Sequence, residues 1–137
     1  MSSYEVRHLD AMAETALAAL REGGRPGYPV IEGRVLSVQA TPDRGTSSDL
    51  AMGVAALPPG YSIPEHTHRA EEIAVILRGN GFITIDDEPI EVQAGSVVVT
   101  PPHARHVTSS SPDGELVVFW VYGPAGSEAR WLEGDVD

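Results

Sequence analysis

Gly60-Tyr61-Ser62-Ile63-Pro64-Glu65-His66-Thr67-His68-Arg69-Ala70-Glu71-Glu72 is the stretch on which the reading of this chain turns. His66 and His68 stand at i and i+2, and Glu72 follows four residues later. In a strand, side chains at i and i+2 point to the same face, close enough to share one ion. Imidazole together with carboxylate is the ligand set of a hard-to-borderline divalent metal. A third histidine, His106, closes a second motif downstream.

Outward from this stretch, the pattern is one of short apolar runs separated by turn residues, the mark of an all-β sandwich or barrel. Strands are predicted at 34–39, 50–57, 72–77, 82–85, 89–92, 95–100, 105–109 and 116–122. The run Gly95 to Thr100 reads as buried. Glu72 opens its strand with Ala74, Ile76 and Arg78 on its own face, while Val75 and Leu77 point the other way. Before the strands, residues 3–22 read as an amphipathic helix, with Leu9, Met12, Ala13, Ala16, Leu17 and Leu20 in the i, i+3, i+4 rhythm. Gly23-Gly24 ends it. The apolar stripe points to a helix packed on the outside of the domain rather than to a lid or a dimer arm. The expected division is 1–29 for helix and linker, and 30–137 for one β-barrel domain with a short C-terminal tail, anchored at Trp131.

Composition narrows the function. The chain has 137 residues, 42% of them hydrophobic, which fits one domain with a real core. Its formal net charge is −11, and every basic residue is Arg. An acidic surface repels phosphate backbones, so nucleic acid is not an expected partner. Absence of Lys removes Schiff-base chemistry by the chain itself, and absence of Cys removes disulfides, thiolate ligands and a cysteine nucleophile. No apolar run approaches a membrane span of roughly 18 residues, and Met1 to Asp10 has no signal-peptide core. A cytoplasmic protein with no membrane partner is expected.

The spacing of two motifs resembles the cupin superfamily. Gly60, five residues, His66-Thr67-His68, three residues, Glu72, six residues and Gly79 match the first cupin motif. Gly95, five residues, Pro101, and His106 five further on match most of the second. Two motifs in the right order, fifteen residues apart, are far more specific than a lone HxH. The resemblance implies an all-β double-stranded β-helix, a jelly-roll barrel, with the N-terminal helix added. It implies metal ligation by His66, His68, Glu72 and His106. His103 stands where the second motif usually has Gly, and Ser110 where it usually has Asn; neither position is a ligand in the family.

Three imidazoles and one carboxylate suit one divalent transition metal per chain, Fe(II) first, with Mn, Ni, Co and Zn also fitting. The expected function is a metal-dependent enzyme acting on a small oxygenated or carboxylate metabolite by Lewis-acid activation, of dioxygenase or lyase, dehydratase or isomerase type. His103, Glu72 or a coordinated water would serve as base. The alternative is a non-catalytic small-ligand-binding cupin or sensor module. Such a module would return its ligand unchanged. A metal used only for folding would have a closed coordination sphere. Lack of Cys argues against a thiol dioxygenase with a Cys–Tyr site, and a single motif pair argues against a two-domain oxalate decarboxylase. Arg78 and Arg105 could grip a carboxylate, but surface pairing is the expectation for both. Tyr61, Phe82, Phe119 and Tyr122 are expected in the core. A homodimer is expected, through the helix or an edge strand such as Val35 to Gln39.

Overall fold

The computed structural model describes residues 5–42, 49–64, 67 and 69–126. His66, His68 and Trp131 lie outside the described residues. One helix, α1 (Leu9–Glu22), precedes the strands β1 (Val30–Ile31), β2 (Arg34–Ala40), β3 (Ala51–Leu57), β4 (Glu71–Arg78), β5 (Asn80–Ile85), β6 (Glu88–Gln93), β7 (Val97–Thr100), β8 (His106–Ser110) and β9 (Leu116–Gly123). They form two antiparallel sheets, a larger one in the order β1-β2-β3-β9-β4-β7 and a smaller one in the order β6-β5-β8. No helix among the described residues is long and apolar enough to cross a membrane.

Strand alternation separates two apolar layers. Leu36 and Val38 on β2, Ala55 and Leu57 on β3, Ala74 and Ile76 on β4, and Leu116, Val118, Trp120 and Tyr122 on β9 fill the barrel interior. Their alternate neighbours, Val35, Val54, Ala56 and Val117, face outward and meet Met12, Ala13, Ala16 and Leu17 of α1. The helix therefore covers the outer face of the larger sheet, as its apolar stripe predicts. Ala13 and Ala16 are fully buried, so the backbone of α1 lies close to the sheet. Burial of Met12 and Leu17 contributes roughly 2 kcal/mol each.

The helix begins at Leu9, six residues later than predicted. His8, the residue before it, is extended (φ −113°, ψ 120°). Arg7 is held outside the helix by bonds to Gln39 Oε1 (2.9 Å) and Glu5 Oε2 (3.0 Å). Two further expectations are corrected. The run at β7 is not buried throughout: Val97 and Val99 are 60% and 54% exposed, because β7 is the edge strand and only its other face meets the interior. Phe82 is half exposed on the smaller sheet rather than in the core.

Arg78 is also displaced from its predicted face. The pairing of β4 with β9 shifts register between Ile76 and Arg78. A bulge adds one residue and rotates the strand beyond it. Arg78 is thereby carried to the helix side, where it pairs with Asp10 (3.1 Å) and Glu14 (3.6 Å). Gly79 follows at φ +82°, and a Cβ there would strike the carbonyl of Glu115. The last glycine of the first motif is thus fixed both by backbone sign and by close approach.

Gly53 carries a second steric constraint. It pairs with Trp120 across β3 and β9, and a Cβ at that position would overlap the indole and the carbonyl of Ser37. Gly53→Ala is expected to destabilise the fold by about 3 kcal/mol through overpacking, measured as a lower urea midpoint. An unchanged midpoint would show that the indole can move.

Candidate metal centre

Glu72 and His106 come from different sheets and meet inside the barrel. Glu72 lies on β4 opposite Thr100 and Tyr122, and His106 lies on β8 opposite Ile85. They are 9% and 2% exposed. His106 Nε2 lies 3.8 Å from Glu72 Oε1, beyond a hydrogen bond. Two donors to one ion at about 2.1 Å from each can stand no more than ~4 Å apart, so the pair lies within the span that a single ion could bridge.

The tautomer of His106 agrees with this. Its Nδ1 lies 3.0 Å from the carbonyl oxygen of Ala104. A carbonyl only accepts, so Nδ1 carries the proton and Nε2 is the donor nitrogen. Metal-ligating histidines are commonly oriented in this way. The described half of the expected donor set therefore fits a divalent ion. The other half, His66 and His68, lies outside the described residues.

The segment leading to them is tied to β8. Ile63 N–H donates to Thr108 O (2.9 Å), and Ser62 bridges Ser109. Ser110, at the place of the family's usual Asn, takes the central role. Its hydroxyl donates to Pro58 O (2.5 Å) and accepts from Tyr61 N–H (2.9 Å), while its own N–H donates to Tyr61 O (2.8 Å). The serine thus ties together the two ends of the Pro59-Gly60 turn in the incoming loop.

The cavity between the sheets is lined by Arg34, Ile63, Glu72, His106, Trp120 and Tyr122, among others, and leaves about 40 Å³ of space. Trp120 and Tyr122 stack with their ring centres 4.6 Å apart. A larger groove of about 440 Å³ runs outside the barrel, along Arg7, Leu9, Met12, Leu50 and Phe119. It contains none of the expected ligands, so the chemistry favours the smaller space.

Arg34 was not expected in the cavity. It is 1% exposed. The signal in the sequence was its phase: Arg34, Leu36 and Val38 share one face of β2, so a charge stands in line with inward apolar residues. The two arginines weighed for a carboxylate are instead surface pairs, Arg78 with Asp10 and Glu14, and Arg105 with Asp87 (2.8 Å). Tyr122 is a core residue that also lines the cavity.

His103 is exposed on the turn between β7 and β8 and does not line the cavity. Its φ is +65°, in the left-handed region that glycine enters without steric cost. That explains why the family usually places Gly there. His103→Gly is expected to gain up to about 1 kcal/mol by relieving this strain, with metal content unchanged; thermal unfolding and elemental analysis check both. Ser110→Ala is expected to cost about 1–3 kcal/mol, since it leaves Tyr61 N–H and Pro58 O without their shared partner. A Ser110→Ala protein with unaltered stability would show that water replaces the hydroxyl.

Known proteins agree with this fold. A cupin domain matches residues 53–122. The chain is 31% identical over 116 residues to the dimethylsulfoniopropionate lyase DddW of Ruegeria pomeroyi, covering 83% of this chain and 71% of that protein. It is 31% identical over 96 residues to a gentisate 1,2-dioxygenase of a Ralstonia species, covering 66% of this chain but only 26% of the dioxygenase. Among solved structures, a cupin protein from Bacteroides fragilis superposes with a TM-score of 0.59 at 33% identity, over 66% of this chain and 79% of the other. An RmlC-like cupin from Shewanella frigidimarina reaches 0.64 at 17% identity, over 74% and 86%, a likeness of fold alone. By its barrel, its motifs and these matches, the chain belongs to the cupin family.

Proposed function

We propose that this chain is a metal-dependent enzyme acting on a small oxygenated or carboxylate metabolite. The observation that carries the reading is the approach of Glu72 Oε1 and His106 Nε2 to 3.8 Å inside the barrel. The relatives support it in kind: one is a lyase and another a dioxygenase. The substrates in their names, dimethylsulfoniopropionate and gentisate, are both carboxylates.

His66, His68, Glu72 and His106 would hold the ion, with Fe(II) the first candidate. When bound, a divalent ion supplies Lewis acidity, polarising an oxygen of the substrate. The chain's own residues do the remaining work. Ala104 O fixes the ring of His106. Leu36, Ala55, Val118 and Trp120 form apolar walls that limit water and strengthen the electrostatics of the site. Glu72, which lines the cavity, would take a proton from a bound substrate; His103 would have to act from the exposed turn. A lyase, dehydratase or isomerase needs such a proton transfer, whereas a dioxygenase also needs O2.

Protein purified without added metal or an affinity tag is expected to carry one ion per chain. Glu72→Ala and His106→Ala are each expected to weaken metal binding at least about tenfold, read by elemental analysis after dialysis. Iron would direct substrate screening to oxygen uptake, and zinc, nickel or manganese to anaerobic assays. Metal retained in both variants would sink the assigned site. Metal lost in both, with ligands bound but returned unchanged, would favour the binding-module reading over the enzyme.

A further inference from the structure

We propose that the outer face of β4 and β7 is where a second copy of this chain docks, joining two barrels back to back around a two-fold axis. The surface lies outside the barrel and is independent of the chemistry assigned to its interior.

Strand pairing lines up two outward rows across β3, β9, β4 and β7. One runs Met52, Val121, Ile73 and Val99; the next runs Val54, Phe119, Val75 and Val97. Neither row holds a charged side chain. α1 covers the β3 end, where Val54 and Phe119 join its apolar cluster. At the other end Ile73, Val97 and Val99 are exposed. The outer groove of about 440 Å³ runs beside the helix, over Met52, Phe119 and Val121. One sheet face is thus sealed by the helix at one end and open at the other.

The open end coincides with an unguarded strand edge. β7 closes the larger sheet and pairs with β4 alone among the described residues. Val97-Val98-Val99-Thr100 carries no charge, no proline and no bulge, the devices that blunt a free edge. The opposite side of the sheet is dressed. β1 pairs with the start of β2, Leu36 N–H donates to Pro29 O (3.1 Å), and the Ser37 hydroxyl donates to Gly27 O (2.5 Å). A contact along Val35 to Gln39 would have to displace that loop, whereas one at β7 meets an exposed face.

Charge and area name the occupant. At a net charge of −11, two copies repel each other over most of their surfaces. In a two-fold contact each patch meets its own copy, so a carboxylate on the patch is brought towards its equivalent. The outer face of the smaller sheet has this defect: Phe82 stands beside Glu91, and Asp86, Asp87 and Glu88 crowd the nearby turn. The two apolar rows are free of it and need no opposite charge to meet themselves. Together with Leu9, which borders the groove, they expose on the order of 400 Å² of apolar surface. A stable dimer buries about 800 Å² per partner, a little over half of it apolar. The face is therefore large enough to form the centre of such an interface.

Sedimentation velocity over a concentration series reads the state of the full chain, and wild type should sediment as a dimer. Substitutions go on β7, because Ile73 adjoins the ligand Glu72. Val97→Glu combined with Val99→Glu should raise the dimer dissociation constant at least about tenfold, since it sets like charges against each other. Val97→Thr with Val99→Thr keeps the β-branched shape and should weaken the dimer to a lesser degree. If the glutamate variant does not fold, by circular dichroism, the threonine variant decides. Phe82→Ser, on the smaller sheet, should leave the dimer intact. Wild type that is monomeric at every concentration would give the face to a different partner and overturn the assignment. Variants at 97 and 99 that dimerise as tightly as wild type would overturn it too, as would loss of the dimer in Phe82→Ser. The readout involves no metal, so its failure leaves the functional reading standing.

Discussion

A β-barrel interior is apolar on most of its wall, and the whole arrangement depends on placing ionisable groups there at tolerable cost. Strand alternation decides where they fall. On β4 the inward positions are Glu72, Ala74 and Ile76, so one carboxylate stands at the end of an otherwise apolar row. On β8 the buried residues are His106, Thr108 and Ser110, each polar. His106 is made compatible with burial by its bond to Ala104 O, and Ser110 by three partners in the incoming loop. Polar groups thus enter from both sheets, while Leu57, Ile76 and Leu116 are fully buried in the apolar core. A charge without such arrangements would neutralise or disrupt the packing.

Several motif positions encode this geometry rather than ligation itself. Gly79 allows the chain to pass under the Glu115 carbonyl after the β4 bulge. The place of His103 requires a left-handed backbone, and the place of Ser110 requires a side chain that reaches both ends of one turn in a neighbouring loop. The two departures from the family pattern therefore differ in kind. Histidine at 103 tolerates the backbone at some strain, and serine at 110 provides both a donor and an acceptor from a shorter side chain. Neither disturbs the pairing of Glu72 with its neighbours on β9 and β7.

The strands were legible because short apolar runs are bounded by Pro, Gly and other turn residues, even where β2 and β3 are buried on both faces. The meeting of Glu72 and His106 in one cavity was legible through motif spacing. The features that stayed hidden depend on contacts that a linear pattern does not carry. The late start of α1 reflects a side-chain bond between Arg7 and Gln39, thirty-two residues away. The exposure of Val97 and Val99 arises because β7 is the edge of its sheet, which depends on the order of all the other strands. The outward turn of Arg78 comes from a one-residue register shift that no period-2 pattern announces.

Arginine shows the same division most sharply. In a chain with 20 acidic and 9 basic residues, an exposed guanidinium finds a carboxylate almost wherever it lies. Arg21 does so with Glu115, Arg25 with Glu22, and Arg105 with Asp87. Such exposed pairs are screened by solvent and say little about function. Their charges are held by whichever groups lie near. Arg34 is held by a hairpin whose turn carbonyl, whose Glu32 carboxylate and whose tyrosine hydroxyl all converge on it, and it is buried where the others are exposed. Burial turns a common residue into a specific one, because a cation withdrawn from water is tolerated only where its partners are fixed. That contrast, more than the number of arginines, separates a structurally fixed guanidinium from a solvated one in this fold.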